Sequence, residues 1–472
     1  DTELNTVVVI GYGVQQKRDV TTAISSVSSD AFKDLPVTDI NEALLGQAAG
    51  VDITSSSGSP GGGLDIKIRG LSTLGSDSNP LYVVDGVIIQ SNITSESGVM
   101  SFINPGDVES IEILKDAAAA SIYGSRASNG VVLITTKSGS VGKAKVDTKI
   151  RTGIQQVFNK VDLLSPVDFA TLAIEARNNA YVSQGGNLLD PDNVRAAQFR
   201  LQKFQDFLAS GRIGTDWQDE IFRSAMFQEY QVNVSGGSKE ISYMFSGGVL
   251  DNNGIVKNSG FTRYSFRANI GAKLSKKIDA GLRINPVFTE QDFLRTTERY
   301  HNTNAGIIQA ALLMDPTLDV YDPSSLSGYT TGIQQGHGMV NIENPVAKMN
   351  LLKDKRKNFR FLGDLFINYK IIKGLDFKMT GSINTNTYYQ NGIVPSTIGG
   401  YAQIAPRDNT ILANSNFVMN YQTAAQLTYN KAINKHNLTM VGVYESQFQK
   451  TNGMNARAEG TWTDKLIIVD SS

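Results

Sequence analysis

NPGDVESIEILKDAAAASIYGSRASNGVVLITTK, residues 104–137, decides how this chain is read. Val108, Ile111, Ile113 and Leu114 form an apolar run, the small residues 117–121 allow close packing, and 125–130 make a turn into a second apolar run, 131–136. The stretch therefore reads as strand, short helical turn and strand, with no catalytic constellation inside it. Upstream, Ile68-Arg69-Gly70 and Pro80-Leu81-Tyr82-Val83-Val84-Asp85-Gly86 have the same texture.

Outward from that stretch, the chain divides in two. Residues 1 to about 140 alternate short apolar strands with Gly- and Ser-rich loops such as 55–63, and 39–45 reads as a helix, which together describe a compact α+β unit. Beyond about residue 143 the segments lengthen and alternate. Tyr264, Phe266, Ala268, Ile270, Ala272 and Leu274 share one parity, and Arg263, Ser265, Arg267, Asn269, Gly271 and Lys273 the other, so the period is two. A tight turn at 274–277 leads into Ile278, Ala280, Leu282 and Ile284, completing a hairpin.

Further strands are expected at 143–157, 227–235, 240–250, 358–370, 374–384, 417–430 and 436–447, about nine in all, each near or above the ~9 to 11 residues that cross a bilayer when tilted. The links 235–239, 274–277, 371–373 and 431–435 are short, whereas 158–226, 287–357 and 387–416 are long and carry helical stretches at 166–180 and 194–208. Short turns on one side and long loops on the other describe an outer-membrane barrel. A soluble antiparallel sandwich also has period-two strands, but its strands average ~5 to 6 residues and it gives a full-length polar parity no purpose.

Composition narrows the function. With 44 basic and 45 acidic residues among 472, no net field draws the chain to nucleic acid, and the absence of cysteine excludes disulfide staples and thiolate chemistry. Mean hydropathy is −0.18 and no stretch is apolar enough for a membrane helix, a test that barrel strands evade because only one of their faces is apolar. The N-terminus has neither a basic region nor an apolar core, so an export signal is expected to have been removed already.

The wording of 4–12, 66–70, 80–86 and 104–137 resembles the plug domain of TonB-dependent outer-membrane transporters, and more narrowly the SusC/RagA branch. The resemblance is specific over about residues 4–137 and extends to the rest in layout only. It implies an α+β plug followed by antiparallel transmembrane strands of a 22-stranded barrel, divided as 1–29 (TonB box and linker), 30–140 (plug) and 141–472 (the first part of the barrel). Nine strands cannot enclose a plug, and open backbone edges are costly in hydrocarbon, so a C-terminally incomplete chain is expected. The implied activity is TonB-driven import of an oligosaccharide or peptide across the outer membrane, in contact with outer-membrane lipid and with a SusD-like surface lipoprotein as a lid. Two alternatives share these features: a non-transporting structural subunit of an envelope assembly, and a siderophore or cobalamin receptor.

Three groups of candidate residues follow. Thr6, Val7, Val8, Val9, Ile10, Gly11 and Tyr12 form a β-prone segment with no obvious hairpin partner; such a segment can add to another protein's sheet, and in the family it is the TonB box. Arg69 and Arg126, with Glu112 and Lys115, are expected at the contact between plug and barrel wall, where a guanidinium facing a carboxylate forms a strong but releasable pair. Tyr82, Asp85 and the loop 90–101 are expected near the plug apex, and Tyr388, Tyr389 and Tyr401 in the loop above, as a substrate face.

Enzymatic readings find no support in the pattern. His301, His337 and His436 are far apart, Gly11-Tyr12-Gly13 lacks the third glycine of a dinucleotide loop, and no nucleophile elbow or phosphate loop occurs. Asp315, Asp319 and Asp322 resemble half a calcium loop that nothing completes, and read as a turn. No cofactor or metal is expected.

Overall fold

The computed structural model describes residues 7–10, 13–16, 24–35, 37–55, 58–70, 79–89, 100–116, 120–295, 306–333, 342–399, 404–433 and 436–464. The first strands, β1 (Val7–Ile10) and β2 (Gly13–Gln16), pair antiparallel as an isolated two-stranded sheet. The apolar segment expected to be partnerless thus has a local partner, although a two-stranded sheet is marginal by itself. Thr6, Gly11 and Tyr12 lie outside the described residues.

The plug is a five-stranded sheet of β3 (Ile24–Ser28), β6 (Leu81–Val84), β7 (Val87–Ile89), β8 (Val108–Leu114) and β9 (Val131–Thr136), in the order β3-β8-β9-β6-β7. A separate hairpin pairs β4 (Val51–Ser55) with β5 (Leu64–Ile68). β3, which lies before residue 30, pairs with β8 and belongs to the plug sheet. The expected strand, helical turn and strand of 104–137 are β8, a 3-10 segment at Ser121–Ala127, and β9, with β8 and β9 antiparallel. The helix Ile40–Ala43 starts with a capping box, the Asp39 carboxylate accepting from Asn41 N–H and Glu42 reaching back to the Asp39 N–H.

Nine strands then form one antiparallel sheet in sequence order: β10 (Gly142–Gln155), β11 (Ala225–Gly237), β12 (Ile241–Asn253), β13 (Gly260–Lys273), β14 (Ile278–Asp292), β15 (Lys353–Ile372), β16 (Leu375–Val394), β17 (Thr410–Ile433) and β18 (His436–Glu459). All nine correspond to strands read from the sequence. Several run further than expected toward the long loops; β16 ends at Val394 instead of 384 and β18 at Glu459 instead of 447. Above the bilayer neither face need be apolar, so the period-two signal fades while the backbone pairing continues. The long and short links do not alternate strictly, because β12 and β13 are joined by only 254–259.

Phe266, Ile270 and Leu282 face outward and exposed, whereas Arg263 and Arg267 are buried on the inner face and Arg283 points at the plug. Outward Tyr264 stacks on Phe288 with ring centroids 6.4 Å apart, and Phe288 lies across from Phe359. Phe359 and Tyr369, both outward on β15, are separated by about 33 Å of strand at about 3.3 Å per residue, or roughly 25 Å of depth at a tilt near 40°, the height of a barrel's apolar band. Among the described residues no helix is long and apolar enough to cross a membrane, which says nothing of strands.

The plug core, built from residues such as Ile40, Ile66, Val84, Ile111 and Ile134, extends to Val287 and Leu362 on the inner wall, so plug and wall share one apolar cluster. Above the wall, the two longest connections fold together: Trp217 packs with Ile307, Met314 and Val346, and its indole N–H donates to the Asp315 carbonyl at 3.0 Å. The three aspartates there point apart, Asp315 to Lys203, Asp319 to Arg212 and Asp322 to Ser324, so they form a packed turn.

Candidate functional site: the seam between plug and wall

The Val84-Asp85-Gly86-Val87 sequence makes the β6–β7 hairpin. Asp85 (φ 51°) and Gly86 (φ 89°) both take the positive φ that a type I′ turn requires, which is why Asp-Gly stands there. The turn thrusts the Asp85 carboxylate into the seam. It accepts from Arg267 Nη2 at 2.5 Å, from Thr136 N at 2.9 Å and Thr136 Oγ1 at 2.7 Å, while Arg283 Nη1 stands 3.7 Å away and Arg283 Nη2 donates to Asp364 at 2.7 Å. Burial pushes the Asp85 carboxyl up, but the Arg267 and Arg283 guanidiniums and the Thr136 donors outweigh it and hold the group below its ordinary value.

Neighbouring contacts extend this clamp along β11–β14. Asp107 accepts from Gln231 Nε2 at 2.8 Å and Ser246 Oγ at 2.6 Å, and burial raises its carboxyl above the ordinary range. Arg263 donates from Nη1 to the carbonyls of Thr38 at 2.9 Å and Ser101 at 3.0 Å, and Asn269 donates to the Lys137 carbonyl at 2.6 Å. On β10, Arg151 reaches the Leu35 and Val37 carbonyls and pairs with Glu229. Near the long loops, Gln291 Nε2 donates to the Pro60 carbonyl at 2.8 Å.

Among the described residues, the four expected at the plug–wall contact have different partners. Arg126 meets the wall, donating to Glu445 at 3.1 Å and to Gln447, both on β18, with its side chain 43% exposed. Arg69 pairs with Asp116 inside the plug, and Lys115 donates to Ser25 and the Ala49 carbonyl, also inside it. Glu112 is buried within the plug sheet, where its Oε1 accepts from Ser110 at 2.7 Å, and burial pushes its carboxyl up to about 7. These three serve the plug's own packing. The clamp not anticipated from the sequence is formed by Arg263 and Arg267, which lie on the polar parity of β13, by Arg283 of β14, and by Asp85, expected instead in a substrate face near the plug apex.

The expected substrate face is likewise redistributed. Tyr82 lies in the plug core, 1% exposed, with its hydroxyl 3.4 Å from Asn41 Oδ1, because β6 is a central strand of the sheet. Asp85 is bound to the wall as described, with its side chain 4% exposed. Tyr388 and Tyr389 lie in strand β16, not in a loop; consecutive strand residues take opposite faces, so Tyr388 is buried inward and Tyr389 exposed outward. Tyr401 and most of 90–101 lie outside the described residues, as do His301 and His337.

The contacts differ in strength. The Asp85–Arg267 pair is almost wholly buried, at 4% and 2% side-chain exposure, and breaking such a pair costs about 3–5 kcal/mol. The half-exposed Arg126–Glu445 pair belongs to the class worth about 0.2–1 kcal/mol. Of these two ion pairs, the one on β13 is therefore the stronger.

Comparison with known proteins supplies the family context. The model of the TonB-dependent receptor plug domain matches residues 16–131. TonB-dependent receptor P3 of Formosa agariphila is 30% identical over 98% of this chain, and TonB-dependent receptor SusC of Bacteroides thetaiotaomicron is 34% identical over 85% of it. The chain spans 42% and 38% of the lengths of these two relatives. In fold, it is similar to the RagAB peptide importer in its open-open state, with a TM-score of 0.77 and 24% identity over 99% of this chain and 51% of that one.

Proposed function

The chain belongs to the SusC/RagA-like TonB-dependent receptors, as the plug and nine strands of a transmembrane barrel wall, and from that premise we propose that the full-length protein imports a nutrient across the outer membrane. The observation that carries the proposal is a folded plug held against the inner face of an apolar-coated wall by polar contacts that can be broken and remade. Such a plug blocks passage at rest and must shift for a solute to pass. In this reading the work of shifting the plug comes from a partner outside the chain.

In this reading, TonB pairs in the periplasm with the segment Thr6 to Tyr12. Its strand β1 is held only in an isolated two-stranded sheet and is available for exchange with a partner's strand. Pulling there reaches the plug through β3, the edge strand of its sheet. The cargo is an oligosaccharide or a peptide, and a SusD-like lipoprotein closes the mouth above the long loops.

Deleting residues 6–12 tests the proposal. Uptake of the nutrient should fall to the level of a TonB-null strain while the amount of protein in the outer membrane stays the same. Undiminished uptake would refute force coupling, and a complete absence of uptake by the intact protein would favour a structural subunit.

A further inference from the structure

Bonds between plug and wall are distributed unevenly around the lumen. On β11–β14 several inward polar side chains bond to the plug: Gln231 and Ser246 to Asp107, Arg267 through Nη2 to Asp85, and Asn269 through Nδ2 to the Lys137 carbonyl. The inner face of β15–β17 differs. Asn358 lies across from Tyr388 and Tyr388 from Asn416; on the next level Arg360 lies across from Asn386, and on the next Leu362, Asn384 and Asn420 follow one another.

The Oδ1 atoms of Asn358, Asn416 and Asn420 and both amide atoms of Asn386 are buried with no hydrogen-bond partner. Native interiors hold only about a few such groups per hundred residues, because the lost hydration of each is not repaid. Among the described residues these five amide atoms share three adjacent strands at adjacent levels, against three such atoms on β13, Nε and Nη1 of Arg267 and Oδ1 of Asn269. On this side Leu362 joins the plug core and Arg360 lies 3.9 Å over the Phe102 ring, but the hydrogen bonds to the plug are weaker. Gln422 accepts from Ile88 N at 3.2 Å and donates to the Gly86 carbonyl at 3.5 Å, and Arg126 makes its exposed contact with β18.

From this asymmetry we infer that the plug moves away from β15–β17 while it stays seated on β11–β14, and that the amide strip around Asn386 lines the passage so opened. The inference rests on the import reading above. Displacement on this side wets the strip and supplies partners to its five amide atoms, whereas displacement on the other side must break the buried Arg267–Asp85 pair to reach the three atoms of Arg267 and Asn269. Between Asn358 and Leu362 the inward residues of the three strands include one cation, Arg360, which lies over the Phe102 ring, and no carboxylate, so the lining suits water and the hydroxyl or amide groups of a passing solute, each of which can donate and accept as a side-chain amide does.

The described strands contain no cysteine, so single thiols can report the motion. Asn386→Cys and Asn420→Cys on the strip, and Ser246→Cys on the clamp, are placed in the full-length protein in cells on rich medium with or without TonB, and are reacted with a charged, membrane-impermeant methanethiosulfonate. Outer-membrane abundance is matched to the parent, and two strip positions guard against one poorly folded variant. TonB should speed labelling of the strip thiols by about tenfold or more, in proportion to the opened population, and leave the Ser246→Cys rate within about twofold. A rise at Ser246→Cys equal to or larger than that on the strip overturns the inference and leaves coupled import standing. No TonB effect at any position overturns both.

Discussion

Replacing Asp85 by Asn removes a single charge from the seam and keeps the size and most hydrogen-bonding capacity of the side chain. In the native protein the carboxylate balances Arg267, which is 2% exposed, while the nearby Arg283 has a second partner in Asp364. The variant therefore leaves Arg267 buried against a neutral amide, and the expected loss is that of breaking a buried pair, about 3–5 kcal/mol. Hydrogen exchange of the plug amides in β6–β9, measured on the protein in detergent, reads this as protection lowered by about two to three and a half orders of magnitude. Adding Arg267→Met should recover most of the loss, because removing both charges is far cheaper than removing one. Arg126→Ala should cost less than about 1 kcal/mol, since its pair with Glu445 is half-exposed. An Asp85→Asn loss no larger than that of Arg126→Ala, or no recovery in the double variant, would refute the view that the plug is held from the β13–β14 side.

Two further outcomes follow from the same geometry. Glu112 has its carboxyl raised by burial from 4.5 to about 7, so the folded plug binds this proton more tightly than the unfolded chain; its stability is highest below about pH 4.5, falls as the pH rises through 7 and then levels off. Glu112→Gln should therefore stabilise the plug at pH 8, by on the order of 3 kcal/mol at ~1.4 kcal/mol per pKa unit, and change little at pH 4.5, as thermal melts at the two pH values will show. Leu282→Arg, on the outer face of β14, should destabilise the wall by about 2–4 kcal/mol in reversible unfolding from lipid vesicles if that face meets hydrocarbon, and by almost nothing if it meets water.

Much of this fold was legible because two periodicities are written plainly in the chain. In β13 the alternation of Tyr264, Phe266 and Ile270 with Arg263, Arg267 and Asn269 is set by the pleat and by the two surroundings of a wall, and the structure places the two sets on opposite faces. The upper ends of β15–β18 were not legible, since residues such as Lys355, Arg356 and Lys357 are polar on both faces there and only the backbone ladder continues. The site was less legible than the fold. Arg69 and Lys115 are charged residues in the plug, and nothing in sequence spacing distinguishes an arginine that pairs with Asp116 from one that reaches the wall. Asp85 was visible as a residue but not as a clamp, because its partners Arg267 and Arg283 lie about 180 and 200 positions further along the chain and meet it only when the sheet wraps the plug. The amide strip could not be anticipated: Asn358, Asn386 and Asn416 fit a polar parity equally well whether or not they have partners.

The central claim is that β10–β18 form a lipid-embedded wall whose inner face grips the plug. Nitroxide labels placed one at a time along 263–272 of the full-length protein in outer-membrane vesicles test it most directly, by comparing relaxation from oxygen dissolved in lipid with that from a water-soluble nickel chelate. Labels at 264, 266 and 270 should respond to oxygen and hardly to nickel, while those at 263, 267 and 269 are shielded from both. Nickel access at 264, 266 and 270, or oxygen access at the odd positions, would contradict the account.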